Sequence, residues 1–224
     1  MRHVECAFFD VDETIVNFKT MFSFLEFYMG ILYGNVGNDH FNIYMNQVKQ
    51  DWTLGKPREE INKEYYLNFK DKSYRYLNEV VDLWLDFKKK QLGNDFFIHK
   101  TISILKKLQK NNTKIVLVSG SLTELIKPIA NELGVEHILA TRFVIDGDVI
   151  TGDIIPPQTI GEGKALAVKN FMKQHEINKL NSIAYGDHIS DFPMLSAANH
   201  GIVISNDKFT QEKAIEHGFE IINW

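Results

Sequence analysis

The chain has 224 residues, of which 44% are hydrophobic and 24% charged, and these proportions exclude disorder as a description of the whole. A balance of 25 basic against 29 acidic residues gives a net charge of −4, so no overall positive field is available to hold a nucleic acid. The single cysteine, Cys6, excludes an internal disulfide and a cysteine zinc site, and we expect it to pack in the core.

The apolar segments and the first residues predict the compartment. Residues 1–5 do not have the basic-then-apolar start of a signal peptide. The most apolar long segment, residues 21–33, is interrupted by polar residues and is shorter than the ~20 residues that a membrane span needs. We therefore expect a cytoplasmic protein that does not cross a membrane, and the oligomeric state stays unknown.

The first third of the chain predicts one strand followed by helices. Residues 4–9 are an apolar run that stops at Asp10, which is typical of a buried strand. Seven of the eight tyrosines then fall in residues 18–97, where we predict helices over 20–33, 39–53 and 57–92, with Pro57 as the first residue of the third. The apolar faces that indicate these helices are Phe22, Leu25, Tyr28 and Met29, and Val80, Leu83, Trp84 and Phe87.

Beyond residue 98 helices and strands alternate, which predicts a parallel sheet with helices on both faces. Gly134 is expected to end a helix, and Asp146-Gly147 is a strong hairpin signal. The predicted strands are 114–118, 137–143 with its hairpin partner 149–150, 182–185, 201–204 and 221–222, and the predicted helices are 101–110, 122–133, 164–175, 192–198 and 210–217.

Polar clusters follow three of the predicted strands, where each strand ends. They are residues 10–14, 119–121 and 186–191. Ligands of an open α/β sheet bind outside the carboxyl ends of its strands, so these clusters can converge on one site. Four acids gathered there would repel one another without a cation, and surroundings made of oxygen atoms select Mg²⁺. A magnesium site in turn indicates a phosphate ligand.

Asp10 and Asp12 stand two residues apart at the end of the first strand. Because side chains alternate with a period of two, both carboxyl groups are predicted on the same side. One carboxylate can attack phosphorus, and a second carboxyl group can protonate the leaving oxygen and then activate water. The pair therefore predicts hydrolysis of a phosphate ester through an aspartyl-phosphate.

The motifs have a fixed order, namely Asp10-x-Asp12-x-Thr14, Ser119, Lys164 and Gly186-Asp187-x-x-x-Asp191. This series closely resembles the four motifs of the haloacid dehalogenase (HAD) superfamily of phosphohydrolases. Residues 161–164, 185–195 and 146–152 are similar to the phosphoserine-phosphatase-like branch, which carries a helical cap after its first motif. The resemblance implies an α/β fold with a Rossmann-like parallel core, built from residues 1–15 and 99–224, and a helical cap from residues 16–98.

The resemblance also implies a role for each matching residue. Asp10 would be the nucleophile and a metal ligand, and Asp12 the general acid and base, with its backbone carbonyl on the metal. Thr14 would support this loop. The cofactor would be Mg²⁺, held in addition by Asp187, while Asp191 would hold the metal's water shell or Lys164. The phosphoryl group would be bound by Ser119, Gly120 and Lys164.

Two residues depart from the pattern of this branch. Glu13 stands where a small Gly or Ser is more usual, and Lys19 stands where phosphoserine phosphatases typically carry a Glu that holds the substrate's ammonium group. A cation at that place would repel an amine, so we predict that phosphoserine is not the preferred substrate. Arg58 is a candidate for binding a substrate anion, or else a solvated partner of the acids beside it.

The sequence thus predicts an Mg²⁺-dependent phosphatase that acts on a small phosphorylated metabolite. Four alternatives remain: a phosphotransferase, a phosphoserine phosphatase, a dehalogenase on the same fold, and a non-catalytic protein that binds a phosphorylated ligand. His188, between two acids, is expected to form the pocket wall. The aromatic stripe that begins at Phe22 is expected to belong to the core of the cap.

Overall fold

The computed structural model describes residues 4–224. In that range the chain forms one mostly parallel sheet. Its strands, in chain order, are β1 (Cys6–Phe9), β2 (Lys114–Leu122), β3 (His137–Asp146), β4 (Val149–Ile155), β5 (Ser182–Gly186), β6 (His200–Ile204) and β7 (Glu220–Ile222).

Helices make up most of the remaining described chain. None of them combines the length and the hydropathy needed to cross a membrane. The α-helices are α1 (Thr20–Tyr33), α2 (Gly37–Thr53), α3 (Arg58–Leu67), α4 (Tyr74–Leu92), α5 (His99–Lys110), α6 (Thr123–Leu133), α7 (Glu162–Gln174), α8 (Phe192–Ala197) and α9 (Lys208–Glu216).

The strands lie in the order β4-β3-β2-β1-β5-β6-β7. All neighbouring pairs are parallel except β3 and β4, which form the predicted antiparallel hairpin. Gly147 in its turn has φ +60°, a conformation that costs glycine no steric strain. The prediction of an α/β fold with a parallel sheet is confirmed, and β1 occupies its centre.

Side chains on the two faces of β1 pack into two separate hydrophobic cores. Ala7 and Phe9 pack with side chains of α1, α3, α4 and α6, whereas Cys6 and Phe8 pack with side chains of α7 and α8. This alternation follows from the period of two along a strand. Helices therefore cover both faces of the sheet, and the predicted burial of Cys6 is confirmed.

Helices α1 to α4 lie between β1 and α5 in the sequence, and α1, α3 and α4 share an aromatic core. On α1, Leu25 and Tyr28 are buried as predicted. On α4 the predicted face is partly wrong, because Leu83 and Phe87 are 56% and 49% exposed. Helix α4 contacts both α1 and α6, so its buried stripe is wider and displaced. That stripe consists of Leu77, Val80, Val81 and Trp84.

The single helix predicted over residues 57–92 is wrong, because the chain leaves the helix between α3 and α4. Asp71 has φ +61°, and its N–H donates to the carbonyl of Ile150 at 2.8 Å. The N–H of Ile150 in turn donates to the carbonyl of Lys72 at 2.9 Å. Hydrogen bonds to the distant β3–β4 hairpin replace helical ones here, and Ser73 caps the start of α4. Pro57 precedes the first turn of α3 instead of opening it.

Candidate active site

The carboxyl ends of β1, β2 and β5, which are neighbours in the sheet, open into one pocket beneath the helical segment. Every residue that the sequence predicts for catalysis, metal binding or substrate binding lines this pocket. From the sheet side these are Asp10, Asp12, Ser119, Gly120, Lys164, Asp187 and Asp191, and from the helical side Lys19 and Arg58.

Lys164 joins two of the strand ends at the floor of the pocket. Its Nζ donates to the carboxylate of Asp10 and, at 2.6 Å, to Oδ1 of Asp191. All three side chains are almost completely buried. Burial alone would lower the pKa of Lys164, but the two carboxylates outweigh that effect and raise it. The lysine therefore carries a positive charge where little water reaches it.

Asp10 follows β1 and is held on several sides. Its N–H donates to the carbonyl of Tyr185 at 2.9 Å, which fixes the backbone against β5. The Thr14 hydroxyl donates to Oδ2 at 3.0 Å, so Thr14 supports the loop as predicted. Burial, and after it the charge of Asp191, raises the pKa of Asp10 to about 6, although Lys164 acts in the opposite direction. The carboxylate is thus oriented before any ligand arrives.

A metal fits beside Asp10. Asp10, Asp187 and Asp191 each offer a carboxylate oxygen, and these oxygens lie within 4.8 Å of one another. Burial, followed by the charges of Asp10 and Asp191, raises the pKa of Asp187 well above its usual value. A group of hard oxygen donors that carries excess negative charge suits Mg²⁺ and not a thiophilic metal. The residues present therefore fit the predicted cofactor.

The Asp12 side chain points elsewhere. Its Oδ1 accepts a hydrogen bond from the Thr20 hydroxyl at 2.7 Å, and its Oδ2 accepts one from the Thr20 N–H at 3.1 Å. Burial, and then the charge of Asp10, raises the pKa of Asp12 to about 7, against the opposing effect of these hydrogen bonds. Its carboxyl group is therefore not part of the metal cluster, and its predicted role through the backbone carbonyl stays a prediction.

The segment after Val118 differs from the prediction. Strand β2 continues to Leu122, with a register shift against β3 between Ser119 and Leu122. The Ser119 Oγ accepts from the N–H of Ser121 at 3.0 Å. The carbonyl of Gly120 accepts from the Tyr66 hydroxyl at 2.8 Å, and so ties this segment to α3. The irregularity turns Ser119 and Gly120 toward the pocket without ending the sheet.

Glu13 and Lys19 form an ion pair at the edge of the pocket. The Lys19 Nζ lies 3.3 Å from Oε2 of Glu13, and each side chain is about 45% exposed. Glu13 has φ +60°, the left-handed conformation that favours glycine. This explains why a small residue would be expected here, and the Glu13 carboxylate pairs with the lysine instead of pointing freely to solvent.

Arg58 reaches from α3 to the turn that follows β5. Its guanidinium donates to Oγ of Ser190 at 3.0 Å and to Nδ1 of His188 at 3.1 Å. The neighbouring acids Glu59 and Glu60 are exposed and do not pair with it within the described structure. His188 lines the pocket as predicted, and burial, followed by the charge of Arg58, lowers its pKa.

Several pocket residues were not predicted from the sequence. Phe22, assigned there to the core of the cap, lines the pocket and meets Trp52 edge-on, with ring centroids 6.4 Å apart. Asn62 carried a usable signal, because it is polar on a helix face whose other members are apolar. Thr20 carried none, since a threonine at a helix start is common. The other pocket residues without a predicted role are Met21, Trp52, Asn62, Ser121, Ile160 and Ser190, and Thr20 contacts Asp12 without lining the pocket.

The comparison with known families agrees with this geometry. The model of the family described as haloacid dehalogenase-like hydrolase matches residues 7–196. The chain belongs to this family. The resemblance read from the motifs is therefore confirmed, and the protein is a HAD-like hydrolase.

Proteins similar to this chain include a curated relative and solved structures of the same fold. A probable phosphatase of Mycobacterium tuberculosis is 33% identical over 110 residues, which are 49% of this chain and 38% of that relative's length. A protein with unknown function from Bordetella pertussis Tohama I shares the fold with a TM-score of 0.85 at 18% identity, over 98% of both chains. A phosphoserine phosphatase, solved as a phospho-aspartyl intermediate analogue, has a TM-score of 0.67 at 18% identity, over 98% of this chain and 93% of its own.

Proposed function

We propose that this HAD-like hydrolase is an Mg²⁺-dependent phosphatase that hydrolyses a small phosphomonoester, with Asp10 as the nucleophile. The observation that carries the proposal is the buried contact of Lys164 with Asp10 and Asp191, next to Asp187 and at the ends of neighbouring strands. A positive charge held beside a carboxylate in a water-poor pocket suits the binding of a phosphoryl group.

The reaction would proceed in two steps. First, an oxygen of Asp10 attacks phosphorus, the bond from phosphorus to the ester oxygen breaks, and Asp12 gives its proton to that oxygen. Second, Asp12 takes a proton from a water molecule whose oxygen attacks phosphorus. The bond from phosphorus to Asp10 then breaks, and inorganic phosphate leaves. Throughout, Ser119, Gly120 and Lys164 would hold the phosphoryl oxygens.

The metal would be held by Asp10, by Asp187 and by the backbone carbonyl of Asp12, with Asp191 behind them. When bound, Mg²⁺ neutralises charge on the phosphoryl oxygens. Asp191 also accepts hydrogen bonds from Lys164 at 2.6 Å and from the N–H of His188 at 3.3 Å. It would therefore hold Lys164 and the turn that follows β5 in fixed positions relative to each other.

Residues 16–98 would form a cap that selects the leaving group. In support, this helical segment contributes Lys19, Phe22, Trp52, Arg58 and Asn62 to the pocket. Lys19 and Arg58 would bind an anionic or hydroxyl-rich part of the substrate. Lys19 and Arg58 together place two cations beside one carboxylate, that of Glu13, so we propose that phosphoserine is a poorer substrate than phosphomonoesters without an amine.

Substitution of the nucleophile tests the proposal. Asp10→Asn keeps the shape of the side chain and removes its nucleophilic oxygen, so hydrolysis of p-nitrophenyl phosphate with Mg²⁺ should fall to background. Asp153→Asn, an exposed site on β4, is the matched control and should keep full activity. Circular dichroism of both variants checks that the fold is intact. Activity retained in a folded Asp10→Asn protein would contradict the proposal.

A further inference from the structure

We infer that Thr20 is a positioning residue that orients the Asp12 carboxyl group toward the oxygen of the leaving group. The inference rests on the proposed function and adds a residue that makes no contact with the pocket itself, since Asp12 lines the pocket and Thr20 does not. Contacts from Thr20 keep the half-buried Asp12 side chain in one orientation, in a pocket that also contains other carboxylates.

Thr20 holds both oxygens of Asp12. Its hydroxyl donates to Oδ1 at 2.7 Å and its N–H to Oδ2 at 3.1 Å, and its own side chain is completely buried. Two donors on one residue fix both the rotamer and the plane of the carboxyl group, whereas a single donor would leave it free to rotate. The N–H belongs to the first turn of α1, where helix amides are without intrahelical partners.

A third contact fixes the direction of the Thr20 hydroxyl. Its Oγ1 lies 2.5 Å from Oγ of Ser121. A hydroxyl group has one hydrogen, so when Thr20 donates to Asp12, Ser121 must donate to Thr20. The N–H of Ser121 in turn donates to Oγ of Ser119. The proposed acid is thus joined, through Thr20, to the segment that we assign to phosphoryl binding.

The position of Thr20 connects Asp12 with the part of the pocket where the leaving group would lie. Thr20 opens the helical segment, and the next two residues, Met21 and Phe22, line the pocket on the side where the leaving group would lie. Helix α1 therefore carries both a wall for the leaving group and the residue that aims the proton donor at it. A displaced acid should slow the first step only for esters whose leaving oxygen needs a proton, whereas the second step, in which Asp12 acts as the base, is common to all esters.

Two substrates separate positioning from a general structural effect. The p-nitrophenolate ion leaves without protonation, whereas the alkoxide of β-glycerophosphate needs a proton. Thr20→Val keeps the side-chain shape and the N–H but removes the hydroxyl. We expect the rate of the first step, measured as release of the alcohol or phenol in a single turnover, to fall by about 10- to 100-fold for β-glycerophosphate, a part of what general acid catalysis contributes, and by less than about 3-fold for p-nitrophenyl phosphate. The substrate concentration that gives half of this rate should change little for either ester, and Thr20→Ser should restore the rate.

Thr101→Val is the matched control. Thr101 is also completely buried near the start of a helix, α5, but its hydroxyl has no hydrogen-bond partner, so this variant should match the wild type on both substrates. If Thr20→Val does not fold, Ser121→Ala removes the contact that orients Thr20 and should give the same selective loss, though smaller. Equal losses on both substrates, or no loss on β-glycerophosphate, would overturn the inference. Failure of the proposed function would look different, because the wild type would then hydrolyse neither ester.

Discussion

The two sides of the pocket are built in different ways. On the sheet side, Asp10, Lys164 and Asp191 are almost fully buried and hydrogen-bonded to one another. On the helical side, Trp52 is 44% exposed and meets Phe22 only edge-on, while Lys19 pairs with Glu13 in the open. Under the proposed function, the buried sheet side carries out the chemistry and the more exposed helical side selects the substrate.

The origin of each side explains this contrast. Asp10 and Asp187 follow β1 and β5, and Ser119 lies near the end of β2, so backbone hydrogen bonds between neighbouring strands set their spacing. The residues of the helical side project from α1, α2 and α3, whose positions depend on side-chain packing. Packing tolerates small shifts more easily than a strand ladder does. Substitutions on the sheet side should therefore lower kcat, and those on the helical side should raise KM.

The largest effect is expected from Lys164→Met. This variant keeps the apolar stem but leaves Asp10 and Asp191 without their cation, so kcat/KM should fall by about 10²–10³-fold, the loss typical of removing one preorganised charge. Lys89→Met, which breaks the exposed pair with Glu132, is the control and should stay near wild type. Steady-state kinetics of both proteins test this prediction. An equal, small loss of kcat/KM in both would contradict the catalytic role proposed for the sheet side.

A smaller effect is expected from pH and Mg²⁺ on stability. Burial raises the pKa of Asp10 to about 6 from an ordinary 3.8, so between these values the folded state binds more protons than the unfolded state. Without a divalent cation the free energy of unfolding should therefore decrease as the pH rises from about 4 to about 7. Mg²⁺ competes with those protons, so it should raise Tm more at pH 8 than at pH 5. An equal rise at both values would contradict the assignment of the ligands.

On the helical side, Arg58→Ala should raise KM by about 3- to 10-fold for the best ester of a phosphomonoester panel, which corresponds to one partly exposed charged contact. The value of kcat should stay within about 2-fold, because the guanidinium contacts Ser190 and His188 and not the buried acids. Arg75→Ala, near the start of α4 and outside the pocket, is the matched control. A loss in kcat without a change in KM would indicate that Arg58 acts in the chemical step, together with the residues of the sheet side.

The smallest effect is expected from Glu13→Gly. Glycine relieves the left-handed backbone at φ +60°, worth ~1–2 kcal/mol, but loses an exposed ion pair and adds flexibility to the unfolded chain. We expect a net increase of about 0.5 kcal/mol in the free energy of unfolding, measured by urea titration. Glu13→Ala loses the same pair and keeps the strain, so it should be less stable than Glu13→Gly. The reverse order would show that the ion pair outweighs the strain.

The sheet side and the helical side of the pocket also differ in how much of their structure could be predicted from the sequence. The meeting of Asp10, Ser119 and Asp187 was predicted from polar motifs at strand ends, and Lys164 was added by its place in the order of the motifs. The structure brings these four residues into one pocket. Their positions are set locally, by where a strand or helix begins or ends, whereas the order of the strands in the sheet was not predicted.

The helical side was predicted less well, because distant contacts decide it. The break between α3 and α4 depends on hydrogen bonds from Asp71 and Lys72 to Ile150 in a hairpin far along the chain. The exposure of Phe87 depends on how α4 meets α6. Likewise, the contact of Arg58 with Ser190 joins residues more than a hundred positions apart. Helical periodicity reports that a face is apolar but not which surface will cover it.

The central claim is that Asp10 forms a covalent bond with phosphorus, and acid quenching of the working enzyme tests it most directly. The protein is mixed with a labelled phosphomonoester and Mg²⁺, denatured in acid within the first turnovers, and digested for mass spectrometry. The account predicts a phosphoryl group on the peptide that contains Asp10, and none in the Asp10→Asn protein. A phosphoryl group on another residue, or turnover of the ester with no labelled protein at any quench time, would contradict it.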